Sequence, residues 1–178
     1  MDNLVEIDKT KPMATITLGG NEIHTVGSLP NVGSQAPDFE LTAVDLSSKK
    51  LNDFKGSRVI LNIFPSIDTD VCATSVRNFN KRATELDNTQ VLCISRDTPF
   101  AMKRFSEDED TNNVTNLSDI KTGSFGQDYG VTIDDGVFEG FHSRAVVVLD
   151  ENGKVIYTQQ VQEIGEEPDY LEALKTLL

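Results

Sequence analysis

Val59-Ile-Leu-Asn-Ile-Phe64, stopped by Pro65 and answered by Val91-Leu-Cys-Ile94, decides how this chain folds. The first run is rich in β-formers and almost continuously apolar, which suits a strand buried on both faces. Between the two runs, Cys72, Val76, Phe79, Ala83 and Leu86 recur at intervals of 4, 3, 4 and 3. That spacing gathers them on one stripe of a helix, with Lys81, Arg82 and Glu85 elsewhere. A helix is therefore expected from about Asp70 to Leu86. Strand, helix and strand make a βαβ unit, so the two strands should run parallel with a right-handed crossover.

Working outward, Ala14–Leu18 and Glu22–Val26 alternate around Gly19-Gly20-Asn21, the pattern of a hairpin. Thr98-Pro99 reads as an N-cap and first helical residue, with Phe100, Met102 and Phe105 on the helix that follows. Weaker patterns predict a strand near 114–117 and a helix near 124–129. Ala145–Leu149 and Val155–Tyr157, joined through Asp150-Glu-Asn-Gly153, predict an antiparallel hairpin. Glu167-Pro168-Asp169 should open a last helix carrying Leu171, Leu174, Leu177 and Leu178. The order points to a thioredoxin-like α/β sandwich: a central mixed sheet, an N-terminal β-hairpin and flanking helices.

The 178 residues suffice for one core, so a single domain over 1–178 is expected, with 1–13 a loose leading segment. Acidic groups outnumber basic ones by 29 to 16, a net charge of −13. With no cationic excess to displace phosphate counterions, neither nucleic acid nor an anionic membrane surface is an expected partner. No apolar run is long enough to span a bilayer. Met1-Asp-Asn-Leu-Val-Glu6 is acidic and lacks the apolar core of a secretory signal, which favours the cytoplasm. Two cysteines are too few for a disulfide scaffold, and their separation of 21 residues matches no usual zinc pattern. The acidic run Glu107–Asp110 reads as a solvated helix end.

Cys72 falls in the first turn of its helix, just past the C-terminal end of a buried strand, the edge where open α/β sheets bind ligands. Unpaired N–H groups and the positive end of the helix favour an anion there. A thiolate is such an anion and is the nucleophilic form of cysteine. Thr69 can present a hydroxyl to the same place, accepting from a thiol or donating to a bound oxygen. Periodicity alone favours Cys72 as a packing residue. The tight polar loop Ser66-Ile-Asp-Thr69 behind Pro65 is not something packing requires.

Phe64-Pro-Ser-Ile-Asp-Thr-Asp-Val-Cys72 resembles the peroxiredoxin pattern PxxxTxxC, and the wider likeness is to the thiol peroxidase subfamily. Val32–Phe39, Arg144–Gly153 and Glu163–Tyr170 are similar to that subfamily's opening and closing segments. The resemblance implies reduction of hydroperoxides without metal or organic cofactor. Cys72 would be the nucleophile that becomes a sulfenic acid, and Thr69 would bind the peroxide and the sulfur. Arg144 would favour the thiolate and the leaving oxygen, and Pro65 would limit water. Thioredoxin as electron donor and a homodimer are likewise implied. His142 reads as a loop residue, because this chemistry needs no base.

Two positions depart from the pattern. Asp70 stands where relatives carry a small or cyclic residue; it is expected to cap the helix and face outward rather than oppose a thiolate beside Asp68. Ser106, in Arg104-Phe-Ser106, occupies the resolving-cysteine position and cannot form a disulfide. Serine there either is a Cys→Ser change or marks another recycling path. Cys93 reads as packing, since a disulfide needs Cα atoms roughly 4.4–6.8 Å apart and a strand core moves little. Two other readings stand beside the peroxidase: a non-enzymatic thioredoxin-fold binding or redox-sensing module, and a Cys-His hydrolase using Cys72 and His142.

Overall fold

Strand β5 (Arg58–Ile63) sits near the middle of a seven-stranded mixed sheet in the computed structural model, which describes residues 12–178. The strands are β3 (Glu40–Ala43), β4 (Ser48–Lys50), β5, β6 (Thr89–Ser95), β7 (Thr115–Ser118), β8 (Ala145–Leu149) and β9 (Val155–Gln160), ordered β4-β3-β7-β6-β5-β8-β9. β5 and β6 pair in parallel, with Leu61 beside Leu92 and Asn62 beside Cys93. β8 returns antiparallel on the other side, with Leu61 beside Val147. The fold is the expected thioredoxin-like sandwich.

Alternation along the strands separates two cores. Val59, Leu61, Ile63, Leu92, Ile94, Ala145, Val147 and Leu149 pack with Phe39, Phe125 and Tyr129 on one face. Ile60, Val91, Cys93, Val146 and Val148 face the helices on the other, against Cys72, Val76, Phe79, Phe105, Ala173 and Leu177. A fully buried apolar side chain contributes about 1.5–3 kcal/mol, so the two layers are the main source of stability.

Helix α1 (Asp70–Ala83) buries its predicted stripe but ends three residues before the expected Leu86. The amides of Glu85 and Leu86 bond three residues back, to Arg82 at 3.0 Å and Ala83 at 3.3 Å, which tightens the chain and closes the helix. Helix α2 (Pro99–Glu109) starts as predicted, with Thr98 Oγ1 accepting from the Ala101 amide at 3.2 Å; Phe100 faces solvent. The acidic run lies exposed at its C-terminal end. Helix α3 spans Ser124–Asp128. Helix α4 (Tyr170–Lys175) is capped by Asp169, which accepts from Glu172 N at 3.0 Å. The expected leucine face is only half realised. Ala173 and Leu177 anchor this end of the chain, whereas Leu171 and Leu178 are exposed and the helix stops before Leu177.

Strands β1 (Thr15–Leu18) and β2 (Asn21–His24) form the predicted hairpin as a separate two-stranded sheet. Gly19 and Gly20 both have positive φ (57° and 81°), which the two-residue turn demands. Ile16 and Ile23 pin it to Ile133 and Ile164 in a small third core. The expected looseness of 1–13, and the reading of residues 1–6 as no signal, fall almost wholly outside the described residues. Among the described residues, no helix is long and apolar enough to cross a membrane.

Candidate active site

The site begins where β5 leaves the sheet. Phe64 N donates to Ile94 O at 3.2 Å, and Pro65, with no N–H, cannot continue the ladder. The chain turns through Ser66–Thr69, and the Ser66 carbonyl accepts both Thr69 N (3.2 Å) and Thr69 Oγ1 (3.1 Å). α1 starts at the next residue and carries Cys72 in its first turn.

Cys72 is fully buried, at 0 % exposure, among Ile60, Phe64, Ile67, Val76 and Phe79. The sequence reading expects a reachable sulfur; in the resting fold it is closed over. One polar group meets it there: Arg144 Nη2 donates to Cys72 Sγ at 3.4 Å. Arg144 directly precedes β8, is 3 % exposed, and donates from Nε to the Ile164 carbonyl at 2.8 Å. Its Nη1 has no partner. A buried guanidinium is costly unless charge or acceptors meet it, and the Cys72 sulfur is the group placed to do so.

The remaining predicted residues divide. Pro65 is buried and, with Ser66, Arg96, Asp97, Ile120 and Phe141, lines a surface cavity of about 380 Å³. Thr69 occupies the N-cap position, but its hydroxyl is turned to Ser66 rather than to the sulfur. Asp70 faces solvent as expected but does not cap: it is the first helical residue, and α1 has no side-chain cap at all. Asp68 is drawn outward by Arg104 at 2.9 Å. Ser106 is half-buried on α2, with Oγ donating to Thr111 O at 3.5 Å.

Cys93 and His142 are buried away from solvent with partners of their own. Burial pushes the Cys93 thiol up to about 12, although Asn62 Nδ2 donates to its sulfur at 3.7 Å. It therefore stays protonated near neutrality and unreactive. Both cysteines are free. His142 bridges to Thr132, and its Nε2 lies 2.9 Å from Asp119 Oδ2. Asp119 also accepts the amides of Phe125 (3.2 Å) and Gly126 (3.0 Å). The His142 Nδ1 has no partner, so neither ring nitrogen bonds the Cys72 sulfur, and the pair that a Cys-His hydrolase needs is not formed. Among the described residues, no group of His, Cys, Asp and Glu gathers to hold a metal ion.

Two contributors escaped the sequence reading. The Ile164 carbonyl, which orients Arg144, is a backbone group and has no side-chain signature. Asp97, which contacts the loop before Cys72, looks in sequence like an ordinary polar strand end.

The sequence matches the Redoxin family over residues 31–174. It is 54% identical over 165 residues to the thiol peroxidase of Mycobacterium tuberculosis, covering 93% of this chain and 99% of that protein. The thiol peroxidase of Corynebacterium glutamicum is 49% identical over 165 residues, with the same coverage of 93% and 99%. Among solved structures, a peroxiredoxin-like protein from Aquifex aeolicus superposes with a TM-score of 0.88 at 38% identity, over 93% of this chain and 96% of that one.

Proposed function

The chain belongs to the Redoxin family as a peroxidase of the peroxiredoxin type, and we propose that Cys72 is the atom-transfer centre of its reaction with hydrogen peroxide and organic hydroperoxides. The observation that carries this reading is the 3.4 Å contact between Arg144 Nη2 and Cys72 Sγ inside a site closed to water. In such a site a fixed cation is worth more than in bulk solvent, both to a thiolate and to an oxygen gaining charge. The thiolate attacks the terminal oxygen, the O–O bond breaks, and an S–O bond forms. The departing alkoxide or hydroxide takes a proton and leaves as alcohol or water. Arg144 Nη1, a donor with no other partner, is suited to that departing oxygen. Thr69 spends its hydrogen on Ser66 O, so its oxygen is left to accept the peroxide hydroxyl. Pro65 covers the strand end. These roles displace the non-enzymatic alternative.

Reduction of the sulfenic acid falls to an external thiol, with thioredoxin as the donor we favour. One thiol yields a mixed disulfide and water; a second releases Cys72. Ser106 cannot take the first step, and the buried Cys93 thiol is held protonated. Two free cysteines accord with the reducing cytoplasm. A homodimer completes the reading, and sedimentation giving the mass of one chain would remove it.

The test compares peroxide decay, with thiol reductant present, for the wild type and Cys72→Ser. The variant should lose catalysis; equal rates end the reading. Peroxide-treated protein should also trap dimedone at Cys72, because no neighbouring thiol consumes the sulfenic acid. An intact mass showing a quantitative Cys72–Cys93 disulfide would contradict the recycling route.

A further inference from the structure

The loop before Cys72 is gripped from the side by one carboxylate. Asp97 lies two residues past the end of β6, half-buried, next to the point where β5 gives way to that loop. Its Oδ1 accepts Ser66 Oγ at 2.8 Å. Its Oδ2 accepts the Ile67 amide at 2.7 Å and Ser95 Oγ at 2.5 Å. Three donors from two segments thus converge on the two oxygens of one side chain. The Asp97 carbonyl is itself held by Ser118 Oγ from β7. The anchor is therefore tied to the sheet.

What Asp97 holds is the start of a chain of contacts ending in the first turn of α1, at the residue after Cys72. Ser66 Oγ accepts the Asp68 amide at 3.2 Å, and Ser66 O accepts both Thr69 N and Thr69 Oγ1. Thr69 O then accepts Ala73 N at 2.9 Å, the amide next to Cys72. α1 has no side-chain cap, so its first turn takes its position from this loop. We infer that Asp97 is a positioning residue for the peroxidase reaction: by clamping Ser66 and Ile67 it sets the direction of the Thr69 hydroxyl beside Cys72. The inference rests on the reading of Cys72 as the reacting atom. It adds a residue that touches neither the sulfur nor the peroxide.

Alignment of reacting atoms is sensitive to small displacements, of the order of 10²-fold for about 1 Å. Asp97→Ala should lower kcat/KM for hydrogen peroxide by about 10- to 100-fold. Alkylation of Cys72 by iodoacetamide needs an accessible sulfur but no aligned Thr69. It should hold its rate or rise. Asp97→Asn keeps an acceptor for Ile67 N, while the serine hydroxyls can turn to accept from its amide, so it should restore most of the activity. Amide exchange at Ile67 and Asp68 should accelerate in Asp97→Ala, and Cys93 should stay unlabelled as a sign that the core is intact. An Asp97→Ala enzyme with wild-type kcat/KM overturns the inference. So does a parallel loss of alkylation and peroxide reduction, which would mean a collapsed site. Should Cys93 become labelled, Ser66→Ala carries the test, since it removes one donor of the same grip. It must lower kcat/KM severalfold with alkylation preserved, and an unchanged constant overturns the inference. If wild type and Cys72→Ser consume peroxide equally, the functional reading fails on its own account. Exchange at Ile67 then still decides whether Asp97 holds the loop: fast in Asp97→Ala upholds the clamp, unchanged refutes it.

Discussion

Arg144 spends one nitrogen on the Ile164 carbonyl, one on the Cys72 sulfur and one on no partner, all beneath the surface. That division depends on the flat guanidinium fork. A lysine supplies the charge at one point and cannot serve carbonyl, sulfur and a departing oxygen together. Arg144→Lys should therefore reduce kcat/KM by about 10²-fold, in the range seen when one fixed donor to developing negative charge is removed. Iodoacetamide labelling of Cys72 at neutral pH should slow as well. Stopped-flow peroxide kinetics and timed labelling check the two effects; a lysine variant with undiminished kcat/KM would leave the third nitrogen without a role. At this scale much of the site was legible before the fold. Cys72 and Arg144, 72 residues apart in sequence, were both singled out, yet only the closing of β8 against β5 explains why they meet. Thr69 was expected to face the sulfur and does not, because the Ser66 carbonyl three residues back offers its hydroxyl a nearer acceptor.

Elements with a strong period were readable, and those held by single contacts were not. β5, α1 and β6 follow from apolar spacing over 6, 14 and 7 residues. β3 and β4, of 4 and 3 residues, have too little length for a pattern to emerge and exist through their pairing with each other and with β7. The β1–β2 hairpin is docked partly by chemistry that titrates. His24 Nδ1 lies 2.7 Å from Asp135 Oδ2, His24 N donates to Asp135 Oδ1 at 2.8 Å, and Glu22 Oε1 is 3.2 Å from Nε2. The hydrogen bond to Asp135 holds the imidazole above its ordinary value of 6.5, against a smaller opposing effect of desolvation, and holds the Asp135 carboxyl below 3.8. A raised histidine stabilises the folded state fully below its unfolded value and loses that contribution as pH climbs through the folded one. The lowered Asp135 acts oppositely, losing its contribution only as pH falls through its folded value. Hairpin docking should thus be firmest between the two and loosen above neutrality. The melting temperature of wild type should exceed that of His24→Gln at pH 5.5, and the gap should narrow by pH 8.5. A gap that is constant with pH would detach the hairpin from this pair.

The whole molecule is two apolar layers on one sheet, and the candidate chemistry occupies the end where β5, β6 and β7 all terminate. Asp97 and Asp119 stand at the ends of neighbouring strands, one holding the cysteine loop and the other holding His142 two residues before Arg144. Neither could be told from a solvated carboxylate in the sequence, since their partners come from distant segments. The Cys72 sulfur has no contact with solvent while the fold is at rest. Substrate and enzyme can then meet only during brief openings of the first helical turn, and such local openings have a free energy and a frequency of their own. Raising the peroxide concentration must in the end bring oxidation to a ceiling equal to the opening frequency. That ceiling should be common to hydrogen peroxide and to a bulky alkyl hydroperoxide, whatever their rates when dilute. Single-turnover rate constants that level off at different values for the two peroxides would mean that the door is not what sets the pace.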